Sequence, residues 1–127
     1  MPSSQADPYV RVLLVESDKD TVSILKLCLS EIKECRLLVA PTIARALVQI
    51  EQEQPNLILY SHDAEDADAI RTLSAIHQKH PFVYLLASLP EPNDDLMANY
   101  MRAGANDCIV KDRNYIPELM MSVMAFT

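Results

Sequence analysis

Pro55-Asn56-Leu57-Ile58-Leu59-Tyr60-Ser61 carries the pattern that decides the fold. Leu57 to Tyr60 is an unbroken apolar run. It is too short for a helix and is preceded by a Pro-Asn breaker, so it reads as a strand. A strand with one wet face alternates polar and apolar residues. A strand apolar on both faces belongs to a parallel sheet covered by helices on both sides.

Working outward, similar short runs recur with helical patterns between them. Val10 to Val15 is a β-branched run, the first strand. Asp18-Lys19-Asp20 offers N-cap carboxylates, and from Thr21 the period changes to a wide apolar helix face through Val22, Ile24, Leu25, Leu27, Cys28, Leu29 and Ile32. Arg36 to Ala40 is the second strand. Thr42 can cap a helix whose face is Ile43, Ala46, Leu47 and Ile50. Downstream of Tyr60, an acidic loop from Asp63 to Asp68 leads into a helix through Ile70, Leu73 and Ile76 to about Lys79, ended by His80-Pro81. Phe82 to Ala87 is predicted as the fourth strand. Asp94-Asp95 suit the start of a fourth helix, with Gly104 as its C′ residue. Asp107 to Val110 is the fifth strand, and Ile116 to Phe126 the last helix, where Pro117 is tolerated in the first turn. The pattern is α/β: a five-stranded, doubly wound parallel (βα)5 sheet with short right-handed connections.

Composition narrows function. The chain has 127 residues, 50% of them hydrophobic, which is one domain with a core of its own. A net charge of −7 argues against nucleic acid and anionic membranes as partners. No apolar run is long enough to span a bilayer, and the N-terminus lacks the apolar core of a signal peptide. Three cysteines, Cys28, Cys35 and Cys108, have no framework spacing and point to reduced thiols in a cytoplasmic protein. The single glycine, Gly104, excludes Gly-rich phosphate loops. We expect a flexible segment over residues 1–8 and one domain over 9–127.

Three pieces of sequence resemble a known family. They are Leu13-Leu14-Val15-Glu16-Ser17-Asp18, Gln54-Pro55-Asn56-Leu57-Ile58-Leu59-Tyr60-Ser61 and, most specifically, Arg102-Ala103-Gly104-Ala105-Asn106-Asp107-Cys108-Ile109-Val110-Lys111. With five βα units they resemble the receiver domain of bacterial response regulators over nearly the whole chain. The resemblance implies the flavodoxin-like strand order 2-1-3-4-5, with the functional crevice at the carboxyl ends of strands one and three. It also implies phosphoryl transfer to an aspartate at the end of strand three, an acidic pair holding Mg2+ after strand one, a hydroxyl after strand four and a lysine after strand five.

Carried over residue by residue, the match is incomplete. Glu16 keeps the first acidic position; the second falls on neutral Ser17, with Asp18 next. The acceptor position falls on Ser61. The hydroxyl position falls between Leu86 and Ser88, where only Ser88 supplies one. The lysine is Lys111. The aromatic switch position falls on Cys108, and Asp112 stands where a proline usually follows the lysine. An aspartate is already an anion at neutral pH, whereas a serine hydroxyl is a weak nucleophile without a base. Loss of carboxylates at positions 17 and 61 also removes two expected Mg2+ ligands. The sequence therefore predicts no phosphoryl acceptance, no cofactor and at most weak Mg2+ binding, with Lys111 turned to Glu16 or Asp18. Asp63, two residues past Ser61, is the alternative acceptor.

Other constellations are weaker. Ser61-His62-Asp63 cannot form a triad, because neighbours on a strand alternate faces. His77 and His80 near a helix end read as solvated imidazoles, and the acidic loop as helix-capping residues. The last helix is apolar on several sides, so Met97, Tyr100, Met101, Cys108, Met120, Met121 and Met124 are predicted to form a partner surface made by helix four, strand five and helix five. The sequence thus reads as a non-phosphorylatable, non-enzymatic signalling module. Its expected partners are other signalling proteins or a fused output domain of a larger bacterial regulator, with a homodimer through that surface as one form. A ligand-sensing flavodoxin-like domain is the remaining alternative.

Overall fold

The computed structural model describes residues 8–66 and 68–127. The segment expected to be flexible lies outside them except for Pro8, which is exposed. Ten elements follow in strict alternation: β1 (Val10–Val15), α1 (Lys19–Leu29), β2 (Cys35–Ala40), α2 (Ile43–Glu53), β3 (Leu57–Ser61), α3 (Ala69–Lys79), β4 (Tyr84–Leu89), α4 (Asp94–Arg102), β5 (Asp107–Val110) and α5 (Tyr115–Met124). The five strands form one parallel sheet in the order β2-β1-β3-β4-β5, as the resemblance implied. β3 is central and every one of its residues is buried, which is why its sequence does not alternate.

Strand parity divides the core. Leu13, Val15, Ile58, Tyr60, Leu85, Ala87 and Leu89 face one way and meet α2, α3 and α4. Val12, Leu14, Leu57, Leu59, Leu86 and Ile109 face the other way and meet α1 and α5 through Leu25, Leu29, Tyr115, Leu119 and Val123. Among the described residues no helix is long and apolar enough to cross a membrane.

Helix starts follow their caps. Asp18 Oδ2 accepts from Thr21 N at 2.9 Å, Thr42 Oγ1 from Arg45 N at 3.2 Å, and Asn93 Oδ1 from Leu96 N at 3.0 Å. α4 ends on Gly104 at φ +112°, where an added Cβ would lie 2.4 Å from His77 Cγ. Both its backbone conformation and the close approach of His77 require glycine there.

Two asparagines finish the opposite end of the sheet. Asn56 accepts from Arg11 N through Oδ1 at 2.9 Å and from Tyr84 N through its carbonyl at 3.0 Å, and donates its own N–H to Arg11 O. Asn106 Oδ1 accepts from Leu85 N at 2.9 Å, while its N–H donates to Leu85 O. Each side chain supplies the partner that a further strand residue would otherwise provide.

Several boundaries differ from expectation by one to three residues; β4, for example, ends at Leu89 rather than Ala87, and the last helix spans Tyr115–Met124 rather than Ile116–Phe126. β4 begins at Tyr84 rather than Phe82, because Tyr84 is the residue registered with Leu57 and Val83 N is spent in a turn on His80 O. Phe82 is almost fully exposed. α1 begins at Lys19, immediately after its cap, and ends at Leu29, so Ile32 lies beyond it. Ile24 and Leu27 point to solvent, so the apolar face of α1 is wider than its buried face.

Candidate functional site

The carboxyl ends of β1, β3, β4 and β5 converge on one crevice. The parity that buries Leu14, Leu59, Leu86 and Ile109 toward α1 and α5 continues two residues further, to Glu16, Ser61, Ser88 and Lys111. Main-chain pairing extends past the strand ends as well: Glu16 N donates to Ala40 O, and Lys111 N to Leu89 O. Four polar side chains are thereby set on the same side of the sheet. Glu16, Ser61 and Ser88 are the buried polar or charged residues among those described. Such a cluster inside an apolar sheet needs partners, and each member has one.

Lys111 is the hub. Its Nζ lies 2.8 Å from Glu16 Oε1 and also donates to Ser61 Oγ. The Tyr115 ring stands against the same ammonium, 5.7 Å from Nζ to the centroid. Glu16 Oε2 accepts from Asp18 N at 3.1 Å, so both carboxylate oxygens are engaged. Ser88 is registered with Ser61, and its Oγ reaches Tyr60 O at 3.5 Å. Ser88 therefore stands level with Ser61 on the same side of the sheet. Burial raises the Tyr115 phenol above its ordinary value.

The loop residues are committed too. Asp18 is occupied as the N-cap of α1; its bond from the Thr21 hydroxyl holds its carboxyl below the ordinary value. Ser17 Oγ donates to Asp63 Oδ2 at 3.2 Å, and Asp63 Oδ1 accepts from Glu65 N at 2.9 Å. Asp63 thus lies past the end of β3, bonded to Ser17 and lining a cleft with His62 and Tyr100, and not on the strand itself. A tightly held Mg2+ needs several oxygen anions free to turn toward it. Here Ser17 and Ser61 are neutral, Glu16 is paired with an ammonium, and Asp18 serves a helix. Among the described residues no group of three or more His, Cys, Asp or Glu is placed to hold a metal. The donor set does not fit that ion.

The predicted partner surface is divided. Met101, Met121 and Met124 are exposed, whereas Met97, Cys108 and Met120 are half-buried against the two cores. Tyr100 does not belong to that surface. It is wholly buried under α4, because its position on the helix faces β3 and not solvent. Its hydroxyl meets His62 Nδ1 at 2.6 Å, and its ring lies 5.9 Å from that of Tyr60. Tyr60 in turn donates to Asp66 Oδ2 at 3.0 Å, and the same oxygen accepts from Ile43 N at the start of α2. Sequence reading missed this second polar group. The available signal was parity: Ile58, Tyr60 and His62 share the face opposite to Ser61.

Comparisons with known proteins agree with the geometry. The family described as the response regulator receiver domain matches residues 12–122. A protein-glutamate methylesterase/protein-glutamine glutaminase of Rhodopseudomonas palustris is 30% identical over 110 residues, which are 85% of this chain and 30% of that protein. The chain therefore spans under a third of the length of that relative. Among solved structures, a CheY-like receiver domain protein of Methanospirillum hungatei superposes with a TM-score of 0.81 at 23% identity, covering 93% of each chain. The receiver domain of a LuxO-type repressor of Vibrio parahaemolyticus gives 0.80 at 25% identity, covering 92% of this chain and 88% of that one. The CheB response regulator domain of Thermotoga maritima gives 0.79 at 20% identity, over 92% and 95% respectively. Sheet order, crevice position and a family match over most of the sequence coincide: the chain belongs to the response regulator receiver domain family.

Proposed function

We propose that this domain is a pseudo-receiver: a signalling module that takes no phosphoryl group and acts through protein–protein contact. One observation carries the reading. Lys111, which the resemblance assigns to the phosphoryl oxygens, is held by Glu16 Oε1 at 2.8 Å and by an alcohol, Ser61, at the acceptor position. The cation is satisfied without an incoming anion, and Ser61 Oγ meets an ammonium rather than a base that could remove its proton. The pair fixes one geometry of the crevice more than it adds stability. Mg2+ binding is weak at most, since the nearby oxygens are neutral or engaged. The module works in the cytoplasm as part of a larger bacterial regulator or beside one. It meets signalling partners, or a second copy, through Met101, Met121 and Met124 on the face of α4, β5 and α5, and does not bind nucleic acid or membrane itself.

The test is incubation with acetyl phosphate and Mg2+, followed by intact-mass measurement of the native protein. The expected result is no phosphoryl adduct. A stoichiometric adduct would overturn the reading. Asp63 favours one second reading, because its carboxylate is bonded to Ser17; an adduct lost in Asp63→Asn would make Asp63 the acceptor.

A further inference from the structure

We propose that the outer edge of β2 pairs with the same edge of a second copy, antiparallel about Leu37, so that two five-stranded sheets become one. The contact rests on main-chain groups at the edge opposite β5 and is independent of the function proposed above.

β2 is the outermost strand, so only one side of its backbone is paired. Val10 N donates to Glu34 O, and Glu16 N to Ala40 O. With Val10 registered on Cys35, the parallel ladder uses the backbone groups of Arg36, Leu38 and Ala40. Those of Cys35, Leu37 and Val39 point away from β1. Part of that outward set is answered within the chain: Cys35 N donates to Ile32 O, and Val39 O accepts from Gln49 Nε2 at 2.9 Å. Among the described residues, Cys35 C=O, Leu37 N–H, Leu37 C=O and Val39 N–H have no hydrogen-bond partner. An edge left open in this way is a template for another strand.

The open groups select which strand. An antiparallel pair exchanges N–H and C=O groups reciprocally. With two copies of β2 set about a two-fold axis at Leu37, each Leu37 N–H meets the Leu37 C=O of the second copy. Each Val39 N–H then meets the Cys35 C=O of the second copy. The remaining juxtaposition is Cys35 N–H against Val39 C=O, and these are the two groups that the chain has already satisfied by itself. A foreign strand would instead lay its own N–H against the occupied Val39 C=O and its own C=O against the occupied Cys35 N–H, and both would lose water without gaining a partner. Leu37, Leu38 and Val39 are half-buried, so pairing also removes apolar surface from water. Arg36 falls opposite Leu38 of the second copy, so no like charges stand directly across the seam. Pro41 follows β2 and has no N–H to offer, which ends the edge. The opposite edge is shorter: β5 has 4 residues, with Cys108 N taken by Asp107 Oδ1 and Val110 O by Asp112 N.

A few main-chain bonds along a narrow seam make a weak contact, with an expected Kd of about 100 μM. Amide exchange of Leu37 and Val39, read by NMR in the native chain, tests it; between about 20 μM and about 1 mM their rates should fall roughly fourfold. Arg36, Leu38 and Ala40, whose amides bond to β1, should be equally protected at both concentrations. Val39→Pro replaces the outward donor by a ring and leaves the ladder to β1 intact, so the concentration dependence at Leu37 should vanish. Val39→Ala loses the same side-chain contacts but keeps the N–H, so the dependence should remain. Met121→Lys should keep it as well, which separates this seam from a contact through α5. In a mixed-label sample at about 1 mM, an intermolecular cross-peak between Arg36 Hα and Leu38 Hα should report the register. Rates that ignore concentration, whether fast or slow, would overturn the pairing. So would a dependence that survives Val39→Pro or disappears in Met121→Lys. If Val39→Pro does not fold, the native series and the cross-peak suffice, and absence of either overturns the pairing. No phosphodonor enters these measurements, so their outcome is independent of the adduct test.

Discussion

Lys111 and Glu16 illustrate how one residue can decide the state of a site. Glu16 is almost wholly buried, and Lys111 Nζ is its cationic partner at 2.8 Å. Removing the partner leaves a carboxylate in a low-dielectric pocket. Lys111→Ala is therefore expected to lower unfolding free energy by about 2–3 kcal/mol, measured by urea titration. Pairing it with Glu16→Gln should recover at least half of that loss, because the uncompensated charge is gone. A second residue-scale expectation concerns acid. The folded-state value of His62 lies below its ordinary 6.5, so the unfolded chain binds this proton more readily. The stability this group contributes is present above about pH 6.5 and is lost as pH falls through the lower folded value. Urea midpoints should decline over that window in the native chain, and the decline should shrink in His62→Gln. At this scale much of the site was legible. Glu16, Ser61, Ser88 and Lys111 were named through the resemblance to receiver domains, and strand parity sets them on one side of the sheet. Tyr100 was misjudged because a tyrosine among methionines on an amphipathic helix reads as surface until the partner strand is known.

The elements show why boundaries were harder to read than the order of strands and helices. Apolar runs mark where strands lie, but pairing register decides where they start; Phe82 looks like strand sequence and lies outside it because Tyr84 is the residue opposite Leu57. α4 shows the reverse, a boundary dictated locally. Its start near Asp94-Asp95 and its Gly104 terminus were read from the sequence, whereas the Asn93 cap and the approach of His77 were not. Gly104→Ala should cost roughly 2–4 kcal/mol, since a positive φ and a steric clash add. Combining it with His77→Ala removes the clash and leaves the backbone cost, so the double variant should be more stable than the sum of the single effects predicts. Chemical denaturation of the four chains checks this.

For the molecule as a whole, the question is what its uncovered apolar surface does. Met121 is 71% and Met124 55% exposed on one helix, more than solubility favours. If that face joins two copies, sedimentation should show a dimer that weakens with dilution, and Met121→Lys should shift it to monomer without changing the urea midpoint. A strict monomer at high concentration would favour a different partner for this face. The net charge of −7 gives any such association a salt dependence, because two like-charged copies repel less at high ionic strength.

The asparagines at the far end of the sheet separate two properties that usually travel together. Asn56 and Asn106 close the edge remote from Glu16, Ser61 and Lys111. Damage there, such as Asn106→Ala, unzips strand beginnings while the crevice residues keep their neighbours. Robustness of the scaffold can therefore drift through substitutions at one pole while the signalling pole stays unaltered.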